Sequence, residues 1–347
     1  MNSEINSINR DPNSSACGLR AVILSSLVTK FVLKYCLKHQ LSFGGLFVRL
    51  FFKSINVDTI KNYLELWKLA SQKSSDYSSG VLLCWERALG YQMAFDEEER
   101  LVWIRGDVPP EHYLAPVGEW GRGDWADIIR SRFGSEAEFQ LVPESLLNIW
   151  KEQFGDSLDV VENRASWEYL HMVDDLAELS GKNYVRKRNR IHQFIKQYPY
   201  VYVPISAENI QDIIQFQKEW NESYRVFDDS GSIERESDGI VRNILGNWNQ
   251  LPQMMGGAIE VFGRVVAYTI AEVADPELVM IHFEKASLEY SAAYQVINHE
   301  FLTRQGRNFK IVNREEDMAD PGLRDAKMSY HPIGFIKKYT VRVDLSR

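Results

Sequence analysis

Residues 311–343, IVNREEDMADPGLRDAKMSYHPIGFIKKYTVRV, constrain the fold more than any other stretch, because apolar, acidic, turn-forming and basic residues succeed one another there. Ile311 and Val312 end an apolar run that starts at Phe309. A half-buried strand could not carry the next residues, Asn313, Arg314, Glu315, Glu316 and Asp317, inward unpaired, so the strand stops in a polar cluster. Asp320 offers an acceptor to free backbone N–H groups, Pro321 suits the first helical position, and a short helix follows over 321–329. Arg324 and Lys327, three residues apart, share one face of it. Pro332 closes the helix, and 335–343 reads as a final strand carrying Lys337, Lys338 and Tyr339.

Upstream lies the strongest helical pattern in the chain. Tyr290, Ala293, Tyr294, Ile297 and Phe301 mark a buried stripe over 287–305, and Gly306 ends it. Before it, 258–261 and 264–273 form a hairpin about Phe262 and Gly263, and 278–283 adds a strand. A helix at 209–220 and a polar loop at 228–238 precede the hairpin. In the first half, a helix at 55–69 is broken by Ser, Asp and Gly residues at 74–80. Short apolar runs at 81–85, 91–95 and 101–104 then read as an antiparallel meander, with a further strand at 113–117. Helices at 124–133 and 144–154 flank a strand at 139–142. A sheet with flanking helices thus occurs twice, an α/β (α+β) plan. The expected division is an N-terminal extension at 1–50, a first lobe at 51–165, a connecting basic helix at 166–200 and a second lobe at 201–347.

A length of 347 residues exceeds what one ordinary core serves, which suits two fused lobes. Forty basic against forty-eight acidic residues leave a net charge of −8, so the chain has no global attraction to DNA or anionic membrane, and any polyanion site is local. Cys17, Cys36 and Cys84 are odd in number and match no metal or redox spacing, which suits a reducing cytoplasm. Residues 19–52 are richly apolar, but Lys30, Lys34, Lys38 and Arg49 interrupt them, leaving runs shorter than the roughly 20 residues of a membrane span. The three lysines recur every four residues, which permits an interfacial helix and peripheral membrane contact. The alternative is an extension with no such role.

Candidate chemistry concentrates in three places. Lys182, Arg186, Lys187, Arg188 and Arg190 form the one dense basic cluster, either an anion patch or a solvated helix face. His282 and Glu284 alternate along a strand and so face one side, as a catalytic pair or a satisfied buried one. Around 311–343, Asn313, Glu315 and Glu316 can orient an amine, Tyr330 or Tyr339 can relay a proton, and Arg324, Lys327 and Lys338 can offset substrate phosphate. The competing reading of Arg324 and Lys327 is a structural ion pair with the neighbouring acidic cluster. HExxH, GxSxG, GxxxxGK[ST] and GxGxxG are absent, so metal, serine-hydrolase and nucleotide-loop chemistry have no support, and no metal ligands are assigned.

The patterns IHFEKA, YQVINHEF, VNREEDM, GLRDAK and SYHPIGFIKKY, in that order, resemble a bacterial family related to the C-terminal transferase domain of phosphatidylglycerol lysyltransferases. The likeness runs over residues 54–343. It implies two tandem GNAT-like lobes, each a mixed, mostly antiparallel sheet flanked by helices, an arrangement shared with aminoacyl-tRNA-dependent transferases that modify peptidoglycan precursors. In the lipid transferases the corresponding segment has the form matched here by Gly322, Leu323, Arg324, Lys327, Tyr330, Pro332, Lys338 and Tyr339. The resemblance implies an aminoacyl- or acyltransferase acting on a phosphate-bearing lipid or cell-envelope precursor, with charged tRNA as donor. Acetyl-CoA-dependent relatives hold a diphosphate on a glycine-rich loop at the start of the helix. Residues 282–290, HFEKASLEY, have no glycine and two glutamates, which disfavours acetyl-CoA or another acyl-CoA as cofactor. An acetyl-CoA-dependent N-acetyltransferase and a non-catalytic paired-lobe binding protein are the alternatives.

Overall fold

Local capping sets the first elements in the computed structural model, which describes residues 48–108, 110–224 and 232–347. Helix α1 (Val57–Trp67) starts where the Asn56 side chain accepts from the Asp58 and Thr59 N–H groups at 3.0 Å and Thr59 Oγ1 accepts from the Asn56 N–H at 2.8 Å. Helix α2 (Ser79–Leu89) occupies the stretch expected as a strand at 81–85. A short apolar run fits a buried strand or a buried helix equally, and the ends decide. Ser78 Oγ accepts from the Val81 N–H at 3.2 Å, and Gly90 takes the left-handed conformation (φ 62°) that stops the helix. Helices α3 (Trp125–Phe133) and α4 (Glu144–Phe154) lie where their apolar spacing predicts.

In chain order, strands β1 (Lys53–Ser54), β2 (Tyr91–Asp96), β3 (Leu101–Gly106), β4 (His112–Leu114), β5 (Val117–Gly118), β6 (Glu136–Pro143) and β7 (Leu158–Glu162) belong to a first sheet. Strands β8 (Glu168–Met172), β9 (Tyr200–Pro204), β10 (Met254–Val261), β11 (Arg264–Asp275), β12 (Leu278–Ala286), β13 (Ile311–Asn313) and β14 (Gly334–Ile336) form a second, in the order β14-β8-β13-β12-β11-β10-β9. Strand β15 (Lys338–Asp344) returns to the first sheet between β6 and β7. These are two GNAT-like lobes, each a mixed, mostly antiparallel sheet flanked by helices. The strand expected at 335–343 is thus two strands in different sheets, divided at Lys337, and β8 joins the second sheet from within the stretch expected as connector. One strand of the expected second lobe, β15, thus completes the sheet of the first.

Helices α5 (Val173–Glu178), α6 (Val185–Gln197), α7 (Ile210–Tyr224), α8 (Ser232–Gly246), α9 (Ala293–Arg304) and α10 (Pro321–Met328) complete the second lobe. The strand period of two separates its two cores. Ala258 and Met280 face α7, α8 and the first lobe in one continuous apolar cluster, whereas Ile259, Val279 and Ile281 face α5, α6 and α9 in another. Residues 49–347 accordingly make one compact unit. Helix α9 begins six residues later than its apolar spacing suggests, because Ala292 holds a left-handed conformation (φ 72°) immediately before it. Of the polar loop expected at 228–238, residues 232–238 are helical, and the rest lies outside the described residues. So do Lys30, Lys34 and Lys38, and with them most of the membrane contact expected over 19–52. Among the described residues no helix is long and apolar enough to cross a membrane.

Candidate functional site

The parallel pairing of β12 with β13 ends at Met280 and Asn313. Beyond it β12 continues along β11 to Ala286, while residues 314 and 315 follow β8 instead: the Arg314 N–H donates to the Tyr169 carbonyl at 2.9 Å, and the Tyr169 N–H to the Glu315 carbonyl at 3.2 Å. A wedge opens between the diverging chains, and charged side chains lace it. Four non-glycine residues of the segment beyond it, Glu315, Met318, Ala319 and His331, hold positive φ of 51–63°. Each costs on the order of 1–3 kcal/mol, so the surrounding contacts must impose this shape.

His282 stands in the wedge because β12 bulges there. Ile270 pairs with Phe283 and Ala271 with Ile281, leaving His282 as the extra residue. The bulge breaks the alternation that would have set His282 beside Glu284, and the expected pair is not formed. The His282 ring lies 2.7 Å (Nδ1) from Glu315 Oε1 and 3.1 Å (Nε2) from Glu272 Oε2. Burial opposes its charge, but the hydrogen bonds to Glu272 and Glu315 prevail and push its pKa up to about 10, so both ring nitrogens donate. Glu272 also accepts from Ser79 Oγ at 2.6 Å, the Ser79 N–H at 3.1 Å and the Gly80 N–H at 2.8 Å. A Cβ at Gly80 would lie 2.8 Å from Glu272 Oε2, so any side chain there would have to displace this carboxylate. Glu284 instead accepts from Asn298 Nδ2 at 2.8 Å and Arg314 Nη2 at 3.3 Å.

Beside the wedge, toward the first lobe, Lys338 is fully buried. Its Nζ donates to Asp76 and, at 2.9 Å, to Glu168. Glu168, also fully buried, accepts in addition from Ser74 Oγ at 2.6 Å, from Ser75 N–H and Oγ at 2.9 Å, and from Asn313 Nδ2. Asn313 Oδ1 in turn takes the Glu315 N–H at 2.9 Å, joining this network to His282. Burial disfavours the Lys338 charge, yet Asp76, Glu168 and Glu316 hold its pKa well above the ordinary lysine range. Burial and the neighbouring carboxylates raise Asp76 to about 6 against the pull of Lys338, and the same causes raise Glu316. Lys338 is therefore an internal counter-ion, and the phosphate contact expected of it is not available. Tyr339 points to the first lobe, donating to Glu144 at 3.2 Å.

Arg324 also braces the loop. It grips buried Asp317 with Nε and Nη2 at 2.8 and 3.0 Å, and Asp317 further accepts from Arg164 at 3.1 Å and Tyr169 OH at 2.6 Å. These donors, Arg324 first, hold its carboxyl well below the usual range. Lys327 donates to the Glu316 carbonyl, and burial lowers its pKa. The pair thus shares a helix face as expected, but both head groups turn inward onto 316–317. The Glu316 carboxylate makes no side-chain hydrogen bond among the described residues and remains partly exposed.

The wedge mouth is basic. Arg314 lies 4.7 Å and Lys187 Nζ 3.8 Å from the centroid of Tyr330, which α10 delivers there, and burial pushes the Tyr330 hydroxyl up to about 12. Arg186 and Arg190 stand exposed on α6 and Lys182 on the turn before it, whereas Arg188 turns back to the Leu179 and Gly181 carbonyls. The cluster read as a unit is thus a strip of exposed cations plus one helix-end brace. Asp76, Glu168, Glu272 and the hydroxyls of Ser74, Ser75 and Ser79 went unmarked in the sequence. The serine-rich run 74–80, read as a helix breaker, was the one signal for Asp76 and the three hydroxyls, and Glu168 and Glu272 had none. Among the described residues no group of His, Cys, Asp and Glu is placed to hold a metal ion.

A family model described as "Phosphatidylglycerol lysyltransferase, C-terminal" matches residues 67–342. A conserved protein of unknown function from Bacteroides thetaiotaomicron superposes with a TM-score of 0.77 at 26% identity, over 85% of this chain and 99% of that one. L-PGS of Bacillus licheniformis gives a TM-score of 0.57 at 13% identity, over 85% and 94% of the two chains, and FemX gives 0.51 at 8%, over 86% and 98%. An uncharacterized protein of Mycoplasmoides gallisepticum is 24% identical over 231 residues, 63% of this chain and 71% of its own.

Proposed function

The chain belongs to the phosphatidylglycerol lysyltransferase C-terminal family, and from that premise we propose an aminoacyl- or acyltransferase whose reaction takes place at the wedge between β12 and β13. The donor in this reading is charged tRNA, and the acceptor is a hydroxyl or amine on a phosphate-bearing lipid or cell-envelope precursor. Attack on an activated ester requires a proton acceptor near the nucleophile and positive charge near the ester oxygen. The observation that carries the reading is the Glu316 carboxylate. It is partly exposed, unbonded through its side chain, raised in pKa by burial and carboxylate neighbours, and set beside the strained Glu315. A carboxylate raised in this way is a stronger proton acceptor than an ordinary one. Glu315, locked by the His282 imidazolium, gives the wedge a fixed negative wall for an α-ammonium, and Arg314 supplies positive charge opposite.

The exposed strip of Lys182, Arg186 and Arg190 offers the local attraction for a phosphate chain that the net charge of −8 denies elsewhere. Mass spectrometry of lipids and envelope precursors from cells with and without the protein tests the proposal. An aminoacylated or acylated species that disappears with the protein supports it, and identical profiles count against it.

A further inference from the structure

Lys187 is drawn inward from α6 to the wedge mouth without a carboxylate partner among the described residues. Its Nζ donates to Ser329 Oγ at 2.7 Å and lies 3.8 Å from the Tyr330 centroid. Every charged group packed around it bears on its protonation. Arg190 on its own helix and Arg314 from the end of β13 are both cationic. Glu284 of β12, which bears on the same Tyr330, is engaged by Arg314 and Asn298. Contact with an aromatic face favours the ammonium form, but Arg314 approaches the same ring, 4.7 Å from its centroid. One face-rich residue thus serves two cations, and a third stands beside them. We propose that Lys187 is a nucleophilic amine that takes an acyl group from an activated ester at the wedge mouth and becomes an amide.

Burial, Arg314 and Arg190 lower its pKa to about 8, so a useful fraction is neutral near physiological pH. In the step, the neutral Nζ attacks the ester carbonyl, a C–N bond forms, and the C–O bond breaks. The nitrogen gives up one proton, which the departing alkoxide takes, and no oxidant or reductant is needed. An amide does not turn over as an ester does. Acylation is therefore a lasting modification that removes one positive charge from the wedge mouth, not a transfer intermediate. The inference rests on the transfer reading only for the source of the ester; the reactivity of the amine does not depend on it.

Limited acetylation of the full chain with N-hydroxysuccinimidyl acetate, followed by peptide mass spectrometry, tests the reactivity directly. At pH 7.5 Lys187 should be labelled about tenfold faster than exposed Lys182 near the same helix, the neutral fraction outweighing the lower basicity of the amine. Arg314→Gln and, independently, Arg190→Gln should slow its labelling, because removing a positive neighbour favours the ammonium. Arg190 is exposed, so that variant keeps the test open if Arg314→Gln fails to fold. Labelling of Lys187 no faster than Lys182, or unchanged by Arg190→Gln, would overturn the inference. That result leaves the transfer reading standing, and unchanged lipid and precursor profiles would leave Lys187 reactivity standing.

Discussion

Replacing Lys338 with methionine separates a brace from a binding cation. The substitution keeps most of the side-chain volume but removes the positive charge facing Asp76, Glu168 and Glu316. Breaking a buried ion pair from one side typically costs about 3–5 kcal/mol, since a charge is left buried without its partner. Glu168 keeps donors from Ser74, Ser75 and Asn313, which favours the lower end, about 3 kcal/mol. For a unit of this size that corresponds to a fall in Tm of about 6 °C. The sign with pH follows from the carboxylates. Without Lys338 their folded-state pKa values rise above the unfolded ones, so their contribution is favourable below the unfolded pKa and is lost as pH rises through the folded values. The deficit of the variant, read by calorimetry, should therefore shrink from pH 7.5 to pH 5. Adding Glu168→Gln should recover part of it. A Tm within about 1 °C of the parent, with the pH profile unchanged, would refute the argument and return Lys338 to the role of a ligand-binding cation.

Three further outcomes follow from the same geometry. His282, raised to about 10 from an ordinary value of about 6.5, contributes stability that is complete below pH 6.5 and is lost as pH rises toward 10; thermal melts should show this decline in the parent and a lower, flatter profile in His282→Gln. Arg324→Gln should lower Tm by less than half as much as Lys338→Met, because Arg164, Tyr169 and the Ala319 N–H still hold Asp317; an equal or larger drop would make Arg324 the principal anchor of the loop. Calorimetry with acetyl-CoA should show no stoichiometric low-micromolar binding, since 282–290 brings no glycine loop and Glu289 is exposed beside it; such binding would favour the acetyltransferase reading.

The sequence was most legible where one face of an element meets one core. Residues 144–154 form a helix as their spacing predicts, since Leu146, Leu147, Trp150 and Phe154 share a stripe and Gly155 stops it. The end of β13 and the Asp320 cap before α10 were equally plain, because charge cannot continue inward and the cap is local. Legibility failed where one residue changes the register. The bulge at His282 reverses a face, the left-handed Ala292 delays a helix, and Lys337 divides one apparent strand between two sheets. The candidate site was half readable. The polar residues of 311–343 were found in order, but Asp76, Glu168 and Glu272 were not, and the role of Lys338 depended on Glu168 and Asp76, 170 and 262 positions away. No local pattern carries such a pairing.

Transfer of label from a mixture of radiolabelled aminoacyl-tRNAs to a bacterial envelope extract, with purified parent chain and Glu316→Gln compared at equal folded concentration, tests the central claim most directly. The account predicts label in a lipid or envelope-precursor fraction with the parent and a loss of at least about 100-fold in rate with Glu316→Gln at unchanged Tm, the scale of a missing general base. Equal transfer by the two proteins would contradict the role of Glu316, and no transfer by the parent with any aminoacyl-tRNA would contradict the aminoacyltransferase reading itself.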